Sequence, residues 1–375
     1  RCPNRKVEVT TGLYGDLLGT LDRMAGAEAV AVVLEWTDLD PRLGLRDLGG
    51  WRPDDVRDIV ADAEQRVAAL GTALVSLADR VPIVVALPSL PIPPVGHTPG
   101  WLLTRTGAEL RRLVAELASA LVGGSRVRLL DPQRLDTLSP AAARMDVKAY
   151  LTTGFPYRMP HADTLAGLLT GLLLPPAAMK GVITDLDDTL WCGILGEEGP
   201  NGVFWDLDHH AQGHGLYQQL LAALASSGVL VAVASKADPR VVDQGLAAPN
   251  LLVGRDALYP VEASWGAKSD AVRRILAAWN IGSDSVVFVD DSATELAEVK
   301  AVFPEIECLQ FPAGDDGATY ALLERLRDLC GKERISDEDG LRLASLKSNV
   351  VAQAPLTESP ARQDAFLTAA GQELT

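Results

Sequence analysis

Short apolar runs, each followed by a polar turn and a stretch with helical spacing, recur along this chain. In its first half they are residues 29–34 (AVAVVL) and 81–87 (VPIVVAL), with 127–130 (VRLL) a weaker third. Runs this brief, without polar alternation, predict strands buried on both faces. Between them, residues 55–77 and 104–121 place apolar side chains at helical spacing. Such alternation predicts a parallel sheet wrapped by helices. The turn-rich run 88–100 follows a strand and reads as a long ordered connection, its backbone fixed by prolines.

Pro175-Pro176 cannot continue a helix and marks a boundary. Beyond it the alternation restarts. Strands are predicted at 181–184 (GVIT), 229–234 (VLVAVA), 285–289 (SVVFV) and 306–311 (IECLQF), and helices at 216–224, 268–279 and 319–329. Residues 191–213 are rich in glycine and acids, lack a period, and read as a flap. The tail 332–375 is polar with weak helical patterns and is expected to pack across both domains, the alternative being that it reaches a partner protein. The fold class is α/β, with domains at 1–174 and 177–331 and a helical extension at 332–375. Each domain is a mostly parallel sheet flanked by helices.

Composition supports that division. With 375 residues and 47% hydrophobic content, the chain can fill two sizeable cores. Its formal net charge of -16 argues against nucleic acid and anionic membrane as partners. The four cysteines, Cys2, Cys192, Cys308 and Cys330, lie far apart without zinc-like spacing, which suits free thiols in a reducing cytoplasm. No apolar run approaches the length of a membrane span. The opening Arg1-Cys2-Pro3, with neither initiator methionine nor signal-peptide core, reads as a trimmed piece of something longer.

The chemistry gathers at predicted strand ends. The GVIT strand delivers Asp185, Asp187, Asp188 and Thr189 to its carboxyl end, where open α/β sheets place their ligands. Carboxylates so close repel one another unless a cation or a shared proton lies between them. The next strand ends in Ser235-Lys236, a hydroxyl and backbone amides suited to phosphate oxygens. Lys268 opens a helix, and Asp290-Asp291 follow the third strand. In the first domain, His161 at a predicted helix start is either a catalytic base or a structural histidine; no Gly-Asp-Ser nucleophile precedes it. Between Ser235 and Lys268 there is no room for an inserted cap domain, and between Thr189 and the next helix only for a flap. An open site of that kind suits a large or tethered substrate.

Asp185-x-Asp187-x-Thr189, Ser235, Lys268 and Asp290-Asp291, in that order, resemble the four motifs of the haloacid dehalogenase superfamily. The resemblance implies phosphoryl transfer. Asp185 is then the nucleophile, Asp187 the general acid and base, and Thr189, Ser235, Lys236 and Lys268 the groups around the phosphate. Asp185, the backbone carbonyl of Asp187, and Asp290 would hold Mg²⁺, with Asp291 orienting Lys268 or a metal-bound water. Asp185, Asp187, Asp188, Asp290 and Asp291 are expected to converge on one octahedral oxygen site.

The segments DLDDTLWCGILGEEGP, WDLDHHAQGHGLYQ, ASKADP, WGAKS and FVDDS are similar to the FkbH-like branch of that superfamily. EWTDLDPRLG and LTTGFPYRMPHADTLAG resemble its degenerate SGNH-hydrolase-like domain. One departure is Ala237, where the branch implies Asn. Function follows as an expectation: transfer of a glyceryl unit from 1,3-bisphosphoglycerate to the phosphopantetheine arm of an acyl carrier protein, with dephosphorylation, for polyketide assembly. A plain Mg²⁺-dependent phosphatase and a non-catalytic docking module are the alternatives. Cys192, just past the aspartate turn, is either the thiol that carries the glyceryl group or a small buried hydrophobe. Mg²⁺ and Lys268 would lower its pKa and the aspartates would raise it. His209, His210 and His214 crowd the flap, and one of them could activate a thiol.

Overall fold

The computed structural model describes residues 8–12, 15–46, 56–92, 99–124, 126–333, 335 and 346. The chain divides into two compact units, Arg1–Pro176 and Ala177–Thr375. Most of the expected extension 332–375 lies outside the described residues, as do Cys2, Asp55 and residues 93–98 of the long connection.

In the amino-terminal unit three short strands, β1 (Val30–Val33), β2 (Ile83–Ala86) and β3 (Val127–Leu129), pair in parallel in the order β1-β2-β3. Successive side chains of a strand point to opposite faces. Accordingly Ile83 and Val85 join one apolar cluster while Val84 and Ala86 join another. The first cluster receives the helices Val56–Ala78, through Ile59, Ala63, Val67, Leu70 and Leu74, and Arg105–Val122, through Leu110, Leu113, Leu117 and Leu121. The second is covered by Met159–Leu173 through Leu165 and Leu169. The result is three layers, helix–sheet–helix.

The carboxyl-terminal unit carries a five-stranded parallel sheet. Its strands are β4 (Gly181–Thr184), β5 (Leu230–Ser235), β6 (Leu258–Ala263), β7 (Val286–Asp290) and β8 (Glu307–Gln310), in the order β6-β5-β4-β7-β8. The chain starts in the middle, winds outward through β5 and β6, then crosses to β7 and β8. That reversal puts a switch point between β4 and β7, where a crevice opens outside the strand carboxyl ends. Val182, Val231 and Val287 face the helices Gln212–Ser226 and Asp316–Cys330, while Ile183, Ala232 and Phe288 face Lys268–Trp279 and Ala293–Val302. Strand β6 is absent from the sequence expectation. It is an edge strand buried fully only at Leu258, and Pro260 and Glu262 mask its period. The flap is more structured than expected, with a one-turn helix Leu195–Glu198 and a bridge between Cys192 and Phe204. Its Trp191, Leu195, Val203 and Trp205 are part of the core.

Gly181 opens β4 directly beneath the indole of Trp279, so a Cβ would collide with that ring. Gly181→Ala is expected to destabilise the protein by about 1–3 kcal/mol through overpacking. Denaturant unfolding measures this, and an unchanged midpoint would show that the helix and sheet do not meet as closely as described.

Candidate active site

The site is built at the β4/β7 switch point. Asp185, the first residue past β4, donates its main-chain N–H to the Val289 carbonyl at 2.9 Å, which locks the two strand ends together. Lys268, at the start of Lys268–Trp279, reaches between them. Its Nζ lies 2.7 Å from Asp185 Oδ1 and 2.6 Å from Asp290 Oδ2. All three are buried, Asp290 completely. The other oxygen of Asp290 accepts the Ser292 N–H at 2.9 Å.

Charge does not balance within this group. Asp185, Asp290 and Asp291 bring carboxylate oxygens within 4.8 Å of one another, against one ammonium. Burial, only partly offset by Lys268 and reinforced by Asp290, pushes Asp185 up to about 7. Burial, then Asp290 and Asp188, also raises Asp291. Burial alone would lower Lys268, but the two carboxylates outweigh it and its pKa rises. A divalent cation would relieve the excess negative charge, and hard carboxylate oxygens are what Mg²⁺ or Ca²⁺ takes. These residues fit such an ion.

The expectation of five converging carboxylates is corrected to three. Asp187 turns its Oδ1 to the Trp191 indole N–H at 2.9 Å and the Leu195 N–H at 3.0 Å. Asp188 adopts a left-handed conformation, φ 49°, and accepts the Gly193 N–H at 2.9 Å. The turn thus sends both side chains into the flap. Thr189 is fully buried and accepts the Asp291 N–H on its hydroxyl at 3.0 Å, tying the aspartate turn to the end of β7.

The remaining candidates divide. Ser235 is buried at the end of β5, next to β4. Lys236 instead forms an ion pair with Glu295 at 2.7 Å. His214 is buried, stacks on Phe311, and donates Nδ1–H to the Thr189 carbonyl at 2.9 Å; burial lowers its pKa, so it braces the turn as a neutral ring. His209 is exposed, bonds Asp206 and stacks on Phe204, and His210 is exposed beside it. Among the described residues no hydrogen bond joins any of the three to Cys192. Burial, then Asp188 and Glu198, pushes the Cys192 thiol up.

Sequence reasoning missed several supports. Tyr217 is fully buried and donates to Thr184 Oγ1 at 3.0 Å, which in turn donates to the Asp185 carbonyl at 2.8 Å. Gln218 fastens the flap by donating to the Leu190 carbonyl at 2.8 Å and accepting the Leu252 N–H at 3.0 Å. In the amino-terminal unit, Glu35 is buried just past β1 and accepts from Ser89 Oγ at 2.7 Å and Tyr157 Oη at 2.8 Å. Burial raises its pKa. His161 is buried beside this group, 2.9 Å from Ser139 Oγ and 3.3 Å from Ser89 Oγ. Ser89 donates its proton to Glu35, so of the two hydroxyls beside His161 the nearer, on Ser139, is the one not committed to that carboxylate.

No known protein-family profile matches this chain, and no curated protein matches it in sequence. Among solved structures, a similar one is the amino-terminal part of protein BF1531 from Bacteroides fragilis, which contains a phosphatase domain and was crystallised with Mg. The match has a TM-score of 0.59 and 16% identity, over 84% of this chain and 98% of that one. At that identity the likeness establishes the α/β fold.

Asp185 generates a pH prediction. Between the ordinary carboxylate range and about 7, the folded chain without a cation holds a proton there that the unfolded chain has lost. Stability from this group therefore falls as pH rises through that window. A cation displaces the proton, so apparent Mg²⁺ affinity should fall by up to about tenfold per pH unit below the Asp185 pKa. Thermal shifts with and without Mg²⁺, above and below that pKa, measure it. A pH-independent shift would show that the cation does not bind at Asp185.

Proposed function

We propose that this chain carries out Mg²⁺-dependent phosphoryl transfer through Asp185, and uses it while loading a glyceryl unit from 1,3-bisphosphoglycerate onto an acyl carrier protein. The observation that carries the first part is Lys268 Nζ bonded to both Asp185 and Asp290 inside a three-carboxylate cluster. A phosphatase domain crystallised with Mg on a similar fold supports it. Mg²⁺ at Asp185, Asp290 and Asp291 would supply positive charge to the phosphoryl oxygens. Asp185 attacks phosphorus as the ester P–O bond breaks, and Asp187 protonates the departing oxygen. Asp187 then takes a proton from the water that cleaves the aspartyl phosphate. Lys268 holds Asp185 in line, and Ser235 lies beside it at the end of β5.

The second part rests on the FkbH-like sequence resemblance. A thiol attacks the acyl-phosphate carbon and expels the 1-phosphate; Asp185 chemistry removes the 3-phosphate. Among the described residues no histidine is hydrogen-bonded to Cys192 to take its proton, which favours direct attack by the carrier's phosphopantetheine thiol over a relay through Cys192.

Intact-mass spectrometry of a phosphopantetheinylated carrier protein, incubated with the chain, Mg²⁺ and 1,3-bisphosphoglycerate, tests both parts. A glyceryl adduct is expected. Asp185→Asn should slow 3-phosphate release by at least about a thousandfold and leave phosphoglyceryl on the carrier. Cys192→Ala should still load. Loss of loading with phosphatase activity retained would restore Cys192 as the acyl carrier, and phosphate release without any adduct would reduce the function to a phosphatase.

A further inference from the structure

Among the described residues the Asp187 carboxylate is gripped on one side only. Both of its hydrogen bonds, from Trp191 Nε1 at 2.9 Å and Leu195 N at 3.0 Å, end on Oδ1. Neither donor can accept, so a proton on Oδ1 would face two N–H groups; a proton carried by this carboxyl belongs on Oδ2. The grip is stiff. Trp191 is fully buried, Leu195 nearly so, and both lie in the same apolar cluster as Leu186 and Leu190. Gly245 closes behind them, because a Cβ there would come within 3.3 Å of the indole and 2.6 Å of Leu195 Cδ2. A parallel bridge between Asp187 and Trp191 fixes the backbone as well.

The geometry points to Trp191 as a positioning residue for proton transfer by Asp187, and to alkyl phosphate esters as the substrate class that needs it. This rests on the phosphoryl-transfer reading above. In the first step the Asp185–phosphorus bond forms, the ester P–O bond breaks, and the Oδ2 proton of Asp187 goes to the leaving oxygen. In the second, Oδ2 takes a proton from the attacking water, which restores Asp187 and releases phosphate. An alkoxide leaves poorly without that proton. An aryl oxide or a carboxylate leaves readily without it. Holding Oδ1 therefore matters for alkyl esters and little for aryl or acyl phosphates.

Trp191→Phe deletes the N–H and keeps an aromatic ring. Hydrolysis of glycerol 3-phosphate and p-nitrophenyl phosphate by one preparation gives a ratio independent of the fraction folded. Positioned proton transfer contributes about 10²–10⁴-fold, so kcat on glycerol 3-phosphate should fall at least about tenfold further than kcat on p-nitrophenyl phosphate. KM values should change little. If the buried site rejects Phe, benzothienylalanine at position 191 keeps the indole shape without its N–H and should give the same split. Equal losses on the two esters would make Trp191 a packing residue and overturn the inference. Failure of the unaltered protein to hydrolyse either ester with Mg²⁺ would overturn the phosphoryl-transfer reading instead.

Discussion

The Lys268 ammonium sits between two buried carboxylates, and much of the carboxyl-terminal unit is arranged to keep it there. Asp290 is wholly inaccessible to solvent, so removing its partner would strand an uncompensated charge. The helix that begins with Lys268 is fastened at its other end as well, where Trp279 packs on Gly181 and donates to the Tyr259 carbonyl at 2.8 Å. One element therefore registers β4, β6 and β7. Well-packed apolar groups often serve a core as well as a buried ion pair does, so this triad reads as chemistry rather than stability.

Around that ion triad the carboxylates fall into two sets with separate duties. Asp185, Asp290 and Asp291 gather where a cation is needed. Asp187 and Asp188 turn to the flap and order its first residues. The division is made by the backbone, through the left-handed Asp188, and is braced by Thr189 bonded to Asp291 and His214 bonded to the Thr189 carbonyl. The proposed nucleophile, Asp185, and the proposed proton carrier, Asp187, are thereby held by different parts of the chain.

Some of this was legible in the sequence because it depends on burial alone. Strands β4, β5 and β7 are buried on both faces, so their apolar runs announce them, and their ends announce Asp185, Ser235 and Asp290. Strand β6 was not legible, because an edge strand with a proline and a glutamate has no such run. The direction of Asp187 and Asp188 depends on one positive φ, which spacing does not encode. Lys236 resembles a phosphate ligand beside Ser235 until Glu295, far away in sequence, takes it. Glu35 was invisible for a related reason. Its partners Ser89 and Tyr157 come from segments 54 and 122 residues away, and nothing local marks a glutamate as buried.

The proposed phosphoryl transfer requires a covalent bond from the Asp185 carboxylate to phosphorus. Rapid quench of a single turnover with Mg²⁺ and a phosphate ester, followed by borohydride reduction and peptide sequencing by mass spectrometry, tests it most directly. An aspartyl phosphate is reduced to homoserine, so homoserine is predicted at position 185. An unmodified Asp185 during turnover, or a modification at Cys192 instead, would contradict the account.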